Sequence, residues 1–177
     1  VAASVGPRLA PVRGHQMAKS ALEMAMLDAE LCASGESFGS RLGITRSSVP
    51  VGVAVGIMPT VDDLLGAVET YVASGYRRVK LKIGPGADIE PVRAVRAAHP
   101  DLMLQVDANS AYTIGDIDHL SRLDEFGLLF IEQPFAERDF VGHAALAARI
   151  ATPVCLDESI GGLDDVSTAL ALGSAAV

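Results

Sequence analysis

The chain has no tryptophan, only three tyrosines and five phenylalanines, and just two cysteines. With so few aromatics, a core must be built from Ala, Val, Leu and Ile, the make-up of buried parallel sheets and of the helices that cover them. Cys32 and Cys155 lie far apart in apolar surroundings, which excludes a disulfide framework and any Cys/His metal spacing. Cys155, between Val154 and Leu156, reads as a buried small hydrophobe. Long hydrophobic runs are also missing. The longest, Val49 to Pro59, is too short to cross a bilayer, and no signal peptide is visible, so a cytoplasmic protein with no membrane partner is expected. Positive charge is scarce, with 14 basic against 22 acidic residues and a net charge of −8. Its one concentration, Arg77 to Lys82, reads as a strand with two lysines facing one way, so no nucleic-acid partner is expected.

What is present is a strand-and-helix rhythm. The 177 residues suffice for one domain with a sizeable core. Residues 1–14, with Gly6, Pro7, Pro11 and Gly14, read as a loop or linker. His15 to Ala33 has helical periodicity, with Met17, Ala21, Met24, Ala25, Leu27 and Leu31 along one stripe and Gly35 placed as a C-terminal cap. Met17, Met24 and Met26 are expected to fill core space. After a polar connector at 36–48, strands are expected at Val49–Met58, Val79–Ile83, Leu102–Asp107, Leu128–Glu132 and Pro153–Asp157. Helices are expected at 62–74 and near 88–98, 115–124, 140–150 and 163–172. Such alternation implies βαβ units and a parallel sheet. An open doubly wound sheet seldom places chemistry on more than one or two strand ends. Here four consecutive strands end in it, which favours a (β/α)8 TIM barrel. About five and a half βα units are present. The chain starts on Val1, and Ala175–Val177 reads as the opening of another strand, so we expect a fragment of a longer polypeptide. Residues 1–48 would be linker and helix, and 49–177 a truncated barrel.

Lys82, Asp107, Glu132 and Asp157 fall 25 positions apart, each closing an apolar run and each followed by turn residues. A charge at the end of a buried strand is costly unless it is paired or holds a metal. Any one carboxylate could simply cap the helix that follows it. Three in step repel one another and demand a counter-ion. An all-oxygen anionic set suits Mg²⁺ first and Mn²⁺ second.

Lys80 and Lys82 sit two apart on one strand and so share a face. Adjacent ammonium groups are expected to lower each other's proton affinity, which would fit one of them to act as a base near neutral pH. A base beside a metal held by carboxylates suits removal of a proton α to a carboxylate, with an enediolate as the product. The other candidates are plainer. Ile83 to Asp88 is expected to be an ordinary strand-to-helix turn, because Pro85 removes a donor that phosphate binding would need. His15, His99, His119 and His143 lie away from the strand ends and are expected to be structural or solvated. Asn109 shares a face with Asp107 and could bind substrate or serve only the turn.

Lys80-Leu81-Lys82 resembles the Lys-x-Lys motif of the muconate-lactonizing-enzyme subgroup of the enolase superfamily. Asp107-Ala108-Asn109, Glu132-Gln133-Pro134 and Asp157-Glu158-Ser159 resemble its three metal-ligand motifs, in order. The likeness runs from about His15 to Val177 and is strongest to the branch of o-succinylbenzoate synthases and N-acylamino-acid racemases. It implies Lys82 as the base with Lys80 as its partner, and Mg²⁺ on Asp107, Glu132 and Asp157. Asn109 and Lys80 would meet a small carboxylate substrate, and Glu158 would stand behind them. It further implies an N-terminal capping domain mostly absent before Val1, a second catalytic lysine just past Val177, and a homo-oligomer in the full-length parent. Ala54 departs from the pattern, standing where relatives often have a serine. The implied activities are dehydration to o-succinylbenzoate for menaquinone synthesis, or exchange of the α-proton of N-acylated amino acids. Dipeptide epimerisation, muconate cycloisomerisation and a non-catalytic metal-binding remnant are the alternatives. The fragment alone is expected to be inactive.

Overall fold

The computed structural model describes residues 1–175. The chain divides into two compact units, Val1–Val49 and Pro50–Val177.

In the first unit, a 3-10 turn at Ala2–Ser4 leads into α1 (Val5–Leu9), then α2 (Gln16–Ser34) and α3 (Phe38–Arg41). Residues 1–14 are therefore not all loop. Pro7 is tolerated because it lies in the first turn of α1, where an N–H would lack a helical acceptor anyway. The polar connector likewise folds into α3, whose N-cap Ser37 accepts from Ser40 N–H. Gly35 ends α2 in a left-handed conformation, with Gly35 N–H on Cys32 O and Glu36 N–H on Leu31 O. This is the Schellman closure its position suggested. The methionines overturn their expectation: Met17 is 89% exposed and Met24 60%, and only Leu31 of α2 is buried. So small a unit offers α2 only short partners, which cannot cover a 19-residue helix.

The second unit is a five-stranded parallel sheet in the order β1-β2-β3-β4-β5. Its strands are β1 (Val53–Val55), β2 (Arg78–Lys82), β3 (Met103–Asp107), β4 (Ile131–Glu132) and β5 (Val154–Cys155). The helices are α4 (Val61–Ala73), α5 (Ile89–Ala98), α6 (Ile117–Leu120), α7 (Phe140–Ala147) and α8 (Leu163–Leu172). Each strand is followed by its helix, and neighbours in sequence are neighbours in space, which is the winding of a barrel wall. The sheet is not closed among the described residues, and β1 and β5 are its edges. The sixth strand expected at 175–177 lies, apart from Ala175, outside the described residues.

Alternation sorts the two faces. Val55, Val79, Leu81, Leu104, Val106, Ile131 and Val154 are buried and pack with Leu64, Val68, Val92, Val95, Leu120, Leu123 and Leu146. Burying each such side chain stabilises the fold by roughly 1.5–3 kcal/mol. The other parity carries Ala54, Lys80, Lys82, Gln105, Asp107, Glu132 and Cys155, and on this face the chemistry sits. Two expected elements are shorter than their apolar runs. β1 spans three residues because it pairs only with β2, and Val49 and Val51 are exposed. The helix expected at 115–124 is a four-residue α6 between 3-10 turns at Ile114–Asp116 and Ser121–Phe126. The first 3-10 turn is closed by a capping box in which Asp116 accepts from Thr113 N–H at 2.9 Å.

Candidate active site

Strand register sets the site. Lys82 is aligned with Asp107, Asp107 with Glu132, and Glu132 with Cys155, so one row of side chains crosses four strands at their C-terminal ends. Lys80 lies one layer below, aligned with Ala54 and Gln105. Lys80 Nζ bridges Asp107 Oδ2 and Glu132 Oε1, each at 2.9 Å. Lys82 Nζ donates to Asp107 Oδ2 at 2.6 Å and to Asn109 Oδ1. Asn109 also donates from Nδ2 to Glu158 Oε1 at 3.0 Å, while its N–H caps Asp107 Oδ1 at 3.1 Å.

Asp157 lies two residues beyond β5, in an exposed turn rather than in the strand. Its N–H is held by Gln133 Oε1 at 2.8 Å. Lys80, Lys82, Asp107, Glu132, Asn109 and Glu158 are thus joined by direct contacts, whereas Asp157 reaches the cluster only through its charge and its backbone.

The electrostatics follow from this pairing. Burial alone would raise the Asp107 carboxyl, but hydrogen bonds from Lys82, Lys80 and Asn109 N–H hold it below the usual carboxylate range. Glu132 moves the other way. Burial and the charges of Asp107 and Asp157 push it up, against the pull of Lys80. Burial pulls the Lys80 ammonium down, yet Glu132 and Asp107 outweigh it and leave Lys80 above its ordinary value. The expectation that adjacent ammonium groups would depress Lys80 is overturned, because two carboxylates, Glu132 and Asp107, sit against its Nζ. Cys155 is half-buried and faces the site rather than the apolar layer, and burial with the charges of Glu132 and Asp157 pushes its thiol up to about 11.

As placed, no three carboxylate, His or Cys side chains among the described residues gather around one point that could hold a metal ion. Lys80 and Lys82 engage oxygens of Asp107 and Glu132. The donor set still has the chemistry of a hard divalent site: oxygen only, anionic, on adjacent strand ends, with ammonium groups balancing the charge.

Three supporting residues, Gln133, Asp88 and Tyr112, were not legible in the sequence, whereas His143 and the turn at 83–88 take the structural roles expected of them. Gln133 is fully buried and binds the turn after β5. Its φ of +38° joins Asn109 (+41°) and Ser110 (+64°), three residues with a β-carbon in the left-handed region at the ends of β3 and β4. Such backbone costs roughly 1–2 kcal/mol per residue and tends to persist at functional sites. Asp88 is buried beneath the neighbouring loops. It caps α5 at Ile89 N–H (2.6 Å) and accepts the Tyr112 hydroxyl at 2.7 Å, with His119 Nε2 at 2.8 Å. His143 is fully buried. Its Nε2 accepts from Phe135 N–H at 3.2 Å, which places its ring proton on Nδ1, toward Asp139 O. Residues 83–88 form a tight turn in which Gly84 and Ala87 bond each other, so those amides are spent within the turn.

A parallel barrel wall whose consecutive strand ends carry lysines and carboxylates has the architecture of an α/β-barrel enzyme domain. The chain belongs to the enolase C-terminal domain-like family, whose model matches residues 63–177. It is 59% identical to an N-succinylamino acid racemase from Amycolatopsis over 98% of its length, and 52% identical to an o-succinylbenzoate synthase from Geobacillus kaustophilus over 97%. It covers 47% and 46% of those two proteins, so the chain spans about half the length of the curated relatives it matches. Among solved structures, an enolase-superfamily member from Listeria innocua superposes over 99% of this chain with a TM-score of 0.90 at 42% identity. A racemase from Streptomyces coelicolor, solved with bound magnesium, covers 72% at 30% identity with a TM-score of 0.64.

Proposed function

We propose that the full-length polypeptide carrying this chain removes a proton α to a carboxylate in a Mg²⁺-dependent reaction. Its activity is that of an o-succinylbenzoate synthase, an N-acylamino-acid racemase, or both. The observation that carries the proposal is the row Lys82–Asp107–Glu132 with Asn109 beside it, on one face of parallel strand ends. The two relatives named for these activities support it.

In this reading Asp107, Glu132 and Asp157 hold Mg²⁺, as the magnesium-bound Streptomyces coelicolor racemase encourages. Bound Mg²⁺ would supply the positive charge that makes an enediolate accessible. Every other step belongs to the chain. Lys82 would act from its neutral amine form, whose Nζ lone pair accepts the α-proton and becomes the ammonium that Asp107 and Asn109 can hold. Asn109, bonded to Lys82 on one side and Glu158 on the other, fixes the direction of that amine. Lys80 stays between Asp107 and Glu132 and keeps a positive charge beneath the carboxylate of the substrate.

The test is turnover by the full-length polypeptide of the cyclohexadiene carboxylate precursor of o-succinylbenzoate and of N-succinylamino acids, before and after chelation. We expect activity on at least one substrate, lost with EDTA and restored by Mg²⁺. Activity indifferent to chelation, or none on either substrate, contradicts the proposal.

A further inference from the structure

We infer that Gln133 is the positioning residue for the third carboxylate, a role that rests on reading Asp157 as a metal ligand. Asp157 sits in an exposed turn, and among the described residues its side chain makes no hydrogen bond that would set its place; only its backbone N–H is held. What fixes the turn is one buried amide reaching across from the end of β4. Gln133 Oε1 accepts Asp157 N–H at 2.8 Å and Ser159 N–H at 3.2 Å. Gln133 Nε2 donates to Ser159 Oγ at 2.7 Å and to Phe135 O at 3.1 Å. Both donors and both lone pairs of the amide are used, and the side chain is fully buried.

The backbone of the same residue carries the tie onward. Gln133 N–H donates to Cys155 O at 2.9 Å, and Gln133 O accepts from Ser110 N–H at 2.8 Å. One residue therefore joins the loop after β3, the end of β4 and the turn after β5, the three places that present Asp107, Glu132 and Asp157. A residue with acceptors alone cannot replace it, because Phe135 O needs a donor. A shorter amide falls a methylene short of Asp157 N–H. The left-handed φ of +38° aims the side chain under the turn, and its persistence in a residue with a β-carbon fits a constraint imposed by function. Partners that orient metal ligands from behind typically change metal affinity 10–100-fold when removed.

The experiment compares wild-type full-length polypeptide with Gln133→Met, Ser159→Ala and Arg96→Met. Two readouts are used: the dissociation constant for Mn²⁺, from the free-ion signal in electron paramagnetic resonance, and amide hydrogen exchange of the 154–160 segment without metal. Arg96 bonds the carbonyls of Leu102, Phe126 and Gly127 at the opposite ends of the strands and serves as the stability control. Gln133→Met should weaken Mn²⁺ 10–100-fold and lose protection at Asp157 and Ser159. Ser159→Ala should weaken it several-fold, which keeps the inference testable if Gln133→Met does not fold. Arg96→Met should lower the melting temperature and leave Mn²⁺ binding within twofold of wild type. Unchanged Mn²⁺ binding in both Gln133→Met and Ser159→Ala, or an equal loss in Arg96→Met, overturns the role of Gln133 alone. A wild type that binds no Mn²⁺ takes the metal reading down with it.

Discussion

Lys80 and Asp107 each depend on the other's charge, and this gives the metal-free site a signed response to pH. Asp107 has a lowered native value, so the stability it contributes is present above the unfolded value of about 3.9 and is lost as pH falls through the native one. Lys80 has a raised native value, so its contribution is present below about 10.4 and is lost as pH rises through the native one. Glu132, also raised, opposes Asp107: the folded state gains stability as pH falls through its native value toward about 4.3. Melting temperature against pH, with EDTA present, should therefore drop on both limbs, and Asp107→Asn should flatten the steep acid limb. A variant whose acid limb matches wild type would show that Asp107 does not govern it. At this scale the sequence displayed the charged residues well, because a constant spacing on successive apolar runs marks one layer of a barrel. Gln133, Asp88 and Tyr112 were hidden, because their partners lie 24–26 positions away or across loops and follow no period. The one available signal was a glutamine set between a strand end and a proline.

Strands and helices were legible where an apolar run met a turn residue, and they drifted where the run overshot its pairing. β1 looked ten residues long because Val49 to Met58 is continuously apolar, yet an edge strand pairs only where β2 faces it. β4 looked longer than two residues for a related reason. Leu129 N–H bonds Leu104 O and Val106 N–H bonds Phe130 O, so pairing begins before the regular ladder does. The methionines of α2 misled because periodicity tells which residues share a stripe and not whether anything covers it. Two tests belong at this scale. Leu104→Ala removes a fully buried side chain between sheet and helices and should cost about 2–5 kcal/mol in chemical denaturation. Tyr112→Phe leaves buried Asp88 without its hydroxyl donor and should cost about 1.5–3 kcal/mol. A loss below about 0.5 kcal/mol in Tyr112→Phe would mean that water or His119 satisfies the carboxylate as well.

For the molecule as a whole, both the barrel wall and its openness were legible from the rhythm of its units, since about five and a half βα units fall short of the eight that close a barrel. The five strands leave β1 and β5 as edges, and an apolar cleft lies beside β5 between Leu156, Ile160, Val166, Ala169 and Leu170. Sheet edges and uncovered apolar surface favour association with other chains. The 177 residues alone should therefore bind an apolar-surface dye more strongly than the full-length polypeptide and show no turnover; equal dye binding with full activity would contradict this. The central claim, that Lys82 takes a carbon-bound proton at a site the acidic row prepares, is tested most directly by exchange in heavy water. The full-length polypeptide, Mg²⁺ and an N-succinylamino acid would be followed by proton NMR at the α-carbon, with Lys82→Ala beside wild type. We predict exchange by the wild type and none by the variant. Exchange that continues in Lys82→Ala would contradict the account.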